Sequence, residues 1–304
     1  MSNEQSKMTF GIQPTCWTND DFPEIGNDTP YQKILDETKK ARYAGGSTGH
    51  NYPSHLPSLL EALRVNNLKI ASTWAGTSFT TGVDADAALA DFQAQVTFLK
   101  EVGARDVVVA ELAGAVNQIR TKRVLEDRPI LSEAQWFLLT RLLDEAAKYA
   151  KDQDMQLSYH PHVGTCVMTL EETIRLLDST NPDYVGLCLD TGHLRYGGAS
   201  LSDVEAFTKK YVRRITHVHL KNVRKAVLPV AVKGSYSFYQ AIESGIFTVP
   251  GDTEGDDLSS IVKTLNQAGY SGWMVIEAEQ DPANANPFQY ANTARKFLEK
   301  ELGY

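Results

Sequence analysis

Four short apolar segments of the chain carry histidine, carboxylate or lysine side chains at their carboxyl ends. The segment 155–159 is followed by His160 and His162, and the segment 184–189 is followed by Asp190 and His193. The segment 215–220 contains His217 and His219 and is followed by Lys221, and the segment 273–276 is followed by Glu277 and Glu279. Charged groups at the end of a buried strand are costly unless they bind something. If the segments are neighbouring parallel strands, their ends meet at one edge, and these side chains predict one metal site.

The metal ligands that we predict are the side chains best placed at the four strand ends. They are His160, Asp190, His219 and Glu277. His217 and His219 alternate with Val218, so both face one side of the strand, and His219 lies nearer the carboxyl end. We therefore expect His217 to support the site from the interior. A mixture of imidazole and carboxylate ligands suits Mn²⁺, Co²⁺, Fe²⁺ or Zn²⁺ better than Ca²⁺.

The other polar groups at the strand ends are predicted to contact a substrate or to move protons. They are His162, His193, Lys221 and Glu279. A metal of this kind can bind a carbonyl and an adjacent hydroxyl, and it can stabilise an enolate. Removal of the α-proton then requires a base beside the metal, and loss of a β-hydroxyl requires an acid. Structural alternatives stay open, because Asp190 could cap a helix or form a buried salt bridge, and Lys221 could be a surface lysine.

Strands and helices alternate along the sequence, and this alternation is what positions the polar groups. Predicted strands cover residues 8–14, 45–53, 68–74, 105–112, 155–159, 184–189, 215–220 and 273–276. Predicted helices cover residues 30–44, 56–66, 84–102, 132–151, a stretch that begins after Thr169, 203–211, 237–244, 257–268 and 287–302. We expect Thr29 to cap the first helix and residues 247–252 to form a loop over the site.

Eight strand–helix alternations predict an α/β fold, a single (β/α)₈ TIM barrel. The barrel is expected to span residues 1–304 as one domain, with residues 1–7 as a flexible tail. A doubly wound sheet is the alternative, but no glycine-rich GxGxxG motif follows the first strand.

Composition and charge limit the classes of function that the chain can have. Hydrophobic residues make up 42% and charged residues 22% of the sequence, and the net charge is −8. An acidic chain is a poor partner for nucleic-acid phosphates. The chain has three cysteines, an odd number, which predicts reduced thiols and a cytoplasmic location. No segment approaches the roughly 20 apolar residues that cross a bilayer, so we expect no membrane association.

Six segments carry a resemblance to a known family. They are GIQPTCWTNDDFPEIG, YHPHVGTCVMTLEE, VGLCLDTGHL, ITHVHLKNVR, FTVPGD and GWMVIEAEQDPANANP. In these segments the chain resembles the myo-inosose-2 dehydratase family, within the xylose-isomerase-like TIM-barrel superfamily. The resemblance implies dehydration of scyllo-inosose, a cyclic polyol ketone, to a trihydroxycyclohexane-dione in inositol catabolism. It also implies dependence on manganese or cobalt, with glutathione as a family cofactor.

The resemblance also bears on individual residues. Trp17, in the first of the six segments, is expected to contact substrate together with His162, His193, Lys221 and Glu279. The base that removes the α-proton stays open among Glu277, His160, His193 and Lys221. His160 stands where epimerases of the superfamily carry glutamate, which favours elimination over reprotonation. Residues 45–53 depart from the pattern of the superfamily.

Three other functions compete with the dehydratase. A keto-sugar isomerase or epimerase on the same barrel would return a product of unchanged mass. An endonuclease-like member would need a basic face for DNA, and the charge of −8 argues against one. A non-catalytic sugar-binding barrel would not need a full set of ligands at four strand ends. The sequence leaves the oligomeric state open.

Overall fold

Strands and helices alternate through the computed structural model, which describes residues 8–81 and 84–303. The strands are β1 (Thr9–Ile12), β2 (Gly45–Gly46), β3 (Lys69–Ile70), β4 (Trp74–Thr77), β5 (Asp106–Glu111), β6 (Gln156–Tyr159), β7 (Val185–Asp190), β8 (Ile215–Leu220), β9 (Asn222–Val223), β10 (Phe247–Thr248) and β11 (Trp273–Ile276). The predicted tail, residues 1–7, lies outside the described residues.

The helices lie between the strands in chain order. They are α1 (Tyr31–Lys40), α2 (Leu56–Asn66), α3 (Ala85–Glu101), α4 (Glu133–Asp152), α5 (Leu170–Ser179), α6 (Thr191–Tyr196), α7 (Leu201–Tyr211), α8 (Leu228–Lys233), α9 (Phe238–Glu243), α10 (Ser259–Gln267) and α11 (Pro287–Leu302), with short 3₁₀ helices at Pro14–Cys16, Phe79–Thr81 and Val212–Arg214.

The strands form the parallel barrel that the alternation predicts. Seven of them are hydrogen-bonded in the order β1-β11-β8-β7-β6-β5-β4, and β2 pairs with β3 in a separate parallel pair. The N–H of Ala44, just before β2, donates to the Phe10 carbonyl in β1 at 2.8 Å. The β2–β3 pair therefore lies between β1 and β4, at the place where the sheet closes into a barrel.

Two strand predictions are wrong in detail. The stretch predicted as one strand at residues 68–74 is divided, because β3 pairs with β2 whereas β4 pairs with β5. Of residues 45–53, only Gly45 and Gly46 are extended in a strand. A Cβ added at either glycine would overlap a carbonyl oxygen of Lys69 or Ile12, so only glycine lets β2 fit between its neighbours.

Local side-chain bonds explain most helix starts. Ser132 and Thr169 each form a capping box, at the starts of α4 and α5, and Asp84 caps α3. The predicted Thr29 cap is wrong, because Pro30 occupies that position and α1 begins at Tyr31. The first helix also ends before residue 44, since Arg42 has a left-handed φ of 65° and turns the chain toward β2.

A second hydrophobic cluster lies apart from the main core. This mouth cluster consists of Phe22, Ile25, Val124, Val163, Met168, Tyr196, Val223, Ala231, Phe238, Ala241, Ile242, Ile246 and Phe247. Its members come from segments that follow the carboxyl ends of five barrel strands. The predicted loop at residues 247–252 contributes to it, and its first two residues form β10, which pairs antiparallel with β9. The cluster thus covers the barrel end that carries the polar side chains.

Candidate active site

The four side chains predicted as metal ligands lie together at the carboxyl end of the barrel. Asp190 Oδ2 lies 3.3 Å from His160 Nε2 and 3.9 Å from His219 Nδ1, and Glu277 Oε2 lies 2.5 Å from the same His219 nitrogen. One ligand atom from each of the four residues lies within 4.8 Å of the other three. All four side chains are buried.

Several polar atoms at the centre of this group lie close to one another but form no well-formed hydrogen bond within the described part of the chain. They are His160 Nδ1 and Nε2, Asp190 Oδ2, His219 Nδ1 and Glu277 Oε2. Unpaired buried polar atoms are rare in proteins because their desolvation costs free energy. Two imidazoles and two carboxylates are donors that a divalent cation such as Mn²⁺, Co²⁺ or Zn²⁺ accepts. The residues present therefore fit a metal ion.

Asp190 fills both roles that its position in the sequence allowed. Its Oδ1 accepts a hydrogen bond from the His193 backbone N–H at 2.7 Å and so caps α6, a helix that the sequence did not predict. Its Oδ2 faces the other three ligands. A single carboxylate thus fixes the loop after β7 and contributes to the site.

Lys221 places a buried ammonium among three carboxylates. Its Nζ lies 2.8 Å from Glu279 Oε2, 3.3 Å from Glu277 Oε1 and 3.7 Å from Asp190 Oδ2. The close packing depends on Gly192, since a Cβ there would lie 2.5 Å from the Lys221 Cγ. Burying an ammonium costs desolvation free energy, and its attraction to the three carboxylates offsets that cost.

The charges of this group follow from their surroundings. Burial opposes the charge on Lys221, but the carboxylates of Glu277, Glu279 and Asp190 together raise its pKa above the ordinary 10.5. Burial likewise opposes the charge on Glu277, but His219 and Lys221 hold its pKa well below 4.5. For Glu279 burial prevails and raises the pKa to about 8. Glu277 is thus an anion, whereas Glu279 can carry a proton near neutral pH.

His162 and His193 stack beside the ligands, with ring centroids 3.7 Å apart. His162 Nδ1 lies 2.8 Å from the Val163 carbonyl oxygen, which can only accept, so Nδ1 carries the proton and Nε2 has a free lone pair. Burial lowers the pKa of His162 to about 3 and that of His193 well below its ordinary value. Both imidazoles are therefore neutral.

A pocket of about 170 Å³ opens onto this group. His162, His219, Glu277 and Glu279 contribute to its lining. His193 and Lys221 are outside the lining and are buried behind Glu279, with Lys221 Nζ 2.8 Å from His193 Nε2. Of the substrate contacts predicted from the sequence, the structure therefore brings His162 and Glu279 to the pocket and sets His193 and Lys221 one layer beneath it.

The prediction that Trp17 contacts substrate is not supported by its position. Trp17 is fully buried in the main hydrophobic core, and its indole N–H donates to Glu37 Oε2 at 2.5 Å, on α1. Trp17 directly follows the 3₁₀ helix Pro14–Cys16, and it is not among the residues that line the pocket. Direct contact with a substrate is therefore not expected of Trp17.

Among the pocket residues that the sequence reasoning missed, Trp74 and Gln13 contact the histidines of the site. Trp74 is 40% exposed in the pocket, and its ring lies edge-on to His160 and His162 at 5.2 and 5.4 Å. Gln13 contacts His219, with 3.2 Å between Gln13 Nε2 and His219 Nε2. Both residues lie at the carboxyl ends of predicted strands, and applying the strand-end rule to all eight strands would have found them.

His217 lies where the parity of β8 places it, below His219. Its Nδ1 is 3.0 Å from Asp106 Oδ2, and its side chain is fully buried. The pair links β8 to β5 inside the barrel.

Comparison with known proteins agrees with the fold and shows the family. Residues 11–301 match the family model of the xylose isomerase-like TIM barrel. An inosose dehydratase of Bacillus cereus (strain AH820) is 37% identical over 301 residues, which cover 99% of both chains. Another, from Geobacillus thermodenitrificans (strain NG80-2), is 38% identical over 300 residues and 99% of both chains. The chain belongs to the inosose dehydratase family of xylose isomerase-like TIM barrels.

Solved structures share the fold at low identity. An IolI protein with a bound zinc atom has a TM-score of 0.69 at 17% identity, covering 97% of this chain and 98% of that chain. An L-ribulose 3-epimerase has a TM-score of 0.67 at 16% identity, covering 97% of this chain and 95% of that chain.

Among the described residues, no helix has the length and apolar character needed to span a membrane.

Proposed function

We propose that the protein is a metal-dependent hydro-lyase that removes water from an inosose. Full-length similarity to inosose dehydratases, at 37% and 38% identity, carries this proposal. The finer assignment is scyllo-inosose as substrate and a trihydroxycyclohexane-dione as product. A buried set of four proposed ligands, of which His219 and Glu277 line a small pocket, supports this chemistry.

The reaction breaks one C–H bond and one C–O bond of the ring. A base takes the proton from the carbon next to the ketone, the hydroxyl on the following carbon departs, and the two leave as water. The enol that remains becomes the second ketone of the dione. A divalent cation held by His160, Asp190, His219 and Glu277 would polarise the substrate ketone and so acidify the α-proton.

Glu279 is our choice for the group that moves protons. The sequence left the base open among Glu277, His160, His193 and Lys221, but the first two belong to the proposed ligand set and the last two lie behind the pocket. Glu279 is outside the ligand set and lines the pocket. Its carboxylate accepts the α-proton and returns it to the departing hydroxyl, while Lys221 holds the carboxylate in place.

His162 and Trp74 are assigned to the substrate. The free Nε2 of His162 accepts a hydrogen bond from a ring hydroxyl, because Nδ1 is committed to the Val163 carbonyl. The exposed indole of Trp74 offers a flat apolar face to the C–H bonds of the ring. Lys221 and His193 act as positioning residues behind Glu279.

The native metal, an organic cofactor and the cellular location complete the proposal. We assign Mn²⁺ or Co²⁺ as the native metal by family resemblance, since the donor set alone also suits zinc. Glutathione is retained as a family cofactor, and assays with and without it test that assignment. Three buried cysteines without disulfide bonds fit a reducing compartment, so we assign the protein to the cytoplasm.

Mass spectrometry of the product tests the proposed function. Metal-reconstituted protein incubated with scyllo-inosose should give a product lighter by one water, and the same protein treated with a chelator should give none. A product of unchanged mass would instead indicate an isomerase or epimerase. Substrate that stays unaltered after reconstitution with every metal tested would indicate a protein that binds the sugar without converting it.

A further inference from the structure

Asp21 is a carboxylate residue in the lining of the pocket that also contains His219 and Glu277. It lies in the loop after β1 and is not one of the proposed metal ligands. The sequence predicted a substrate contact in this loop at Trp17, but Trp17 is buried in the main core, whereas Asp21 lines the pocket. The metal site and the proton transfers do not use the carboxylate of Asp21, so its place in the pocket calls for another role.

Two side-chain amides hold the carboxylate of Asp21. Asn117 Nδ2 donates to Asp21 Oδ2 at 3.2 Å, and Gln118 Nε2 donates to Asp21 Oδ1 at 2.9 Å. Both amides lie in the loop after β5, and Gln118 also lines the pocket. Burial raises the pKa of Asp21, and the two amides oppose that rise because they donate to the charged form. A carboxylate that accepts one hydrogen bond at each oxygen can accept more.

The loops that carry Asp21 and its amides are anchored on both sides. Phe22, the next residue, is buried in the mouth cluster, and its N–H donates to Asn19 Oδ1 at 2.8 Å. In the loop after β5, the N–H of Val116 donates to the Gly164 carbonyl at 2.8 Å. An acceptor that is fixed before a ligand arrives loses little conformational freedom when the ligand binds.

We propose that Asp21 determines specificity by accepting a hydrogen bond from the hydroxyl on the ring carbon opposite the substrate ketone. This inference rests on the proposed function, in which the ketone faces the cation. The opposite carbon then faces the lining that the loops after β1 and β5 supply, where Asp21 and Gln118 lie. A ring without this hydroxyl leaves a desolvated carboxylate unpaired, so the pocket rejects it.

An analogue of scyllo-inosose that lacks the hydroxyl opposite the ketone tests this contact. The native, metal-reconstituted protein should prefer scyllo-inosose to the analogue by about 10- to 100-fold in kcat/KM, the value of a hydrogen bond to a charged group. In Asp21→Ala, which has no acceptor, the ratio should fall to about one. The control Asp183→Ala, at an exposed carboxylate, should keep the native ratio. A purely structural role of Asp21 would slow both compounds equally and leave the ratio unchanged.

Calorimetric titration of manganese-loaded Glu279→Gln with both compounds measures the preference as affinity and does not need turnover. The same preference is expected there, and adding Asp21→Ala should abolish it. Should Asp21→Ala not fold, Asp21→Asn takes its place, with a ratio below the native one because a neutral acceptor binds less strongly.

Two results would overturn the role of Asp21. One is equal use and equal binding of the two compounds by protein that retains Asp21. The other is a preference that survives unchanged in the folded Asp21 variant. Either result would leave the dehydratase proposal standing if scyllo-inosose still loses water. If it does not, the binding comparison still decides the role of Asp21.

Discussion

The two carboxylate oxygens of Asp190 make two different contacts in the site. One carboxylate oxygen accepts the His193 N–H and caps α6, and the other faces His160 and His219. Asparagine is also a good N-cap, so replacing Asp190 by asparagine preserves the first contact and weakens only the second. This substitution therefore separates the fold of the loop from metal binding.

We expect Asp190→Asn to lose bound metal and dehydratase activity together. Loss of even an indirect supporter of a metal site costs about 10- to 100-fold, so loss of a ligand should cost at least about 100-fold. Metal content by mass spectrometry and turnover of scyllo-inosose measure the two effects. Asp183→Asn, at an exposed position, is the control. Full activity with full metal content in Asp190→Asn would exclude the ligand role.

A comparison of Glu279→Gln with Glu277→Gln distinguishes the proton-transfer role from the ligand role. Glu279→Gln should keep its metal and lose roughly 100-fold or more in turnover, because an amide cannot accept the α-proton. Glu277→Gln should lose the metal as well. Exchange of the α-proton with deuterated water, followed by NMR, reports the first step directly. Normal exchange in Glu279→Gln would assign the base to another residue.

The four proposed ligands could be predicted because residue type, strand parity and strand end all indicated the same positions. Trp17 could not be placed in this way, since it follows a short 3₁₀ turn that no periodicity reveals. Likewise, sequence alone could not show that Lys221 and His193 lie behind the pocket, because their burial depends on Gly192 and on the mouth cluster.

At the scale of elements, a carboxylate at a strand end is not always a ligand. Glu111 ends β5, but its two oxygens accept hydrogen bonds from the Thr77 hydroxyl, the Phe79 N–H, and the Thr80 N–H and hydroxyl. These bonds hold the 3₁₀ helix Phe79–Thr81 against the barrel. A carboxylate with its oxygens satisfied in this way is structural.

Glu111→Gln should therefore destabilise the protein without removing the metal. An amide nitrogen would face donors that the carboxylate now satisfies, and we expect a loss of about 2–3 kcal/mol in the free energy of unfolding. Urea denaturation measures the loss, with the exposed Glu101→Gln as the matched control. Unchanged stability combined with loss of metal would instead place Glu111 in the site.

Element boundaries were predictable where the signal was local. The strands at 215–220 and 273–276 and the helices at 56–66 and 287–302 are confirmed to the residue. Errors fell on the cap and end of α1, on β2 and β3, whose positions depend on distant partners, and on the unpredicted helices α6, whose cap is the proposed ligand Asp190, and α8. Pairing between distant strands is not encoded in local periodicity.

At the scale of the whole molecule, the site connects segments that lie far apart in the chain. The proposed ligands come from β6, β7 and β8 and from the residue after β11, and the mouth cluster covers them. A bound cation therefore cross-links four barrel positions. Without it, two carboxylates and two imidazoles share a buried space with no bound cation between them.

Removal of the metal should lower the stability of the entire barrel. A cation at about 100 times its Kd stabilises a protein that binds it only when folded by about 2.7 kcal/mol. Thermal unfolding with Mn²⁺ and with a chelator should differ accordingly in Tm. The Asp190→Asn variant should show no such difference, and an equal shift in that variant would mean that the cation binds elsewhere.

The position of the cation is the most direct test of the whole account. Crystals of the manganese-reconstituted protein, measured at the manganese absorption edge, should give one strong anomalous peak per chain. We predict that this peak lies between His160, Asp190, His219 and Glu277, at bonding distance from each. A peak elsewhere in the molecule, or none at these residues at saturating manganese, would contradict the proposed site and the reaction built on it.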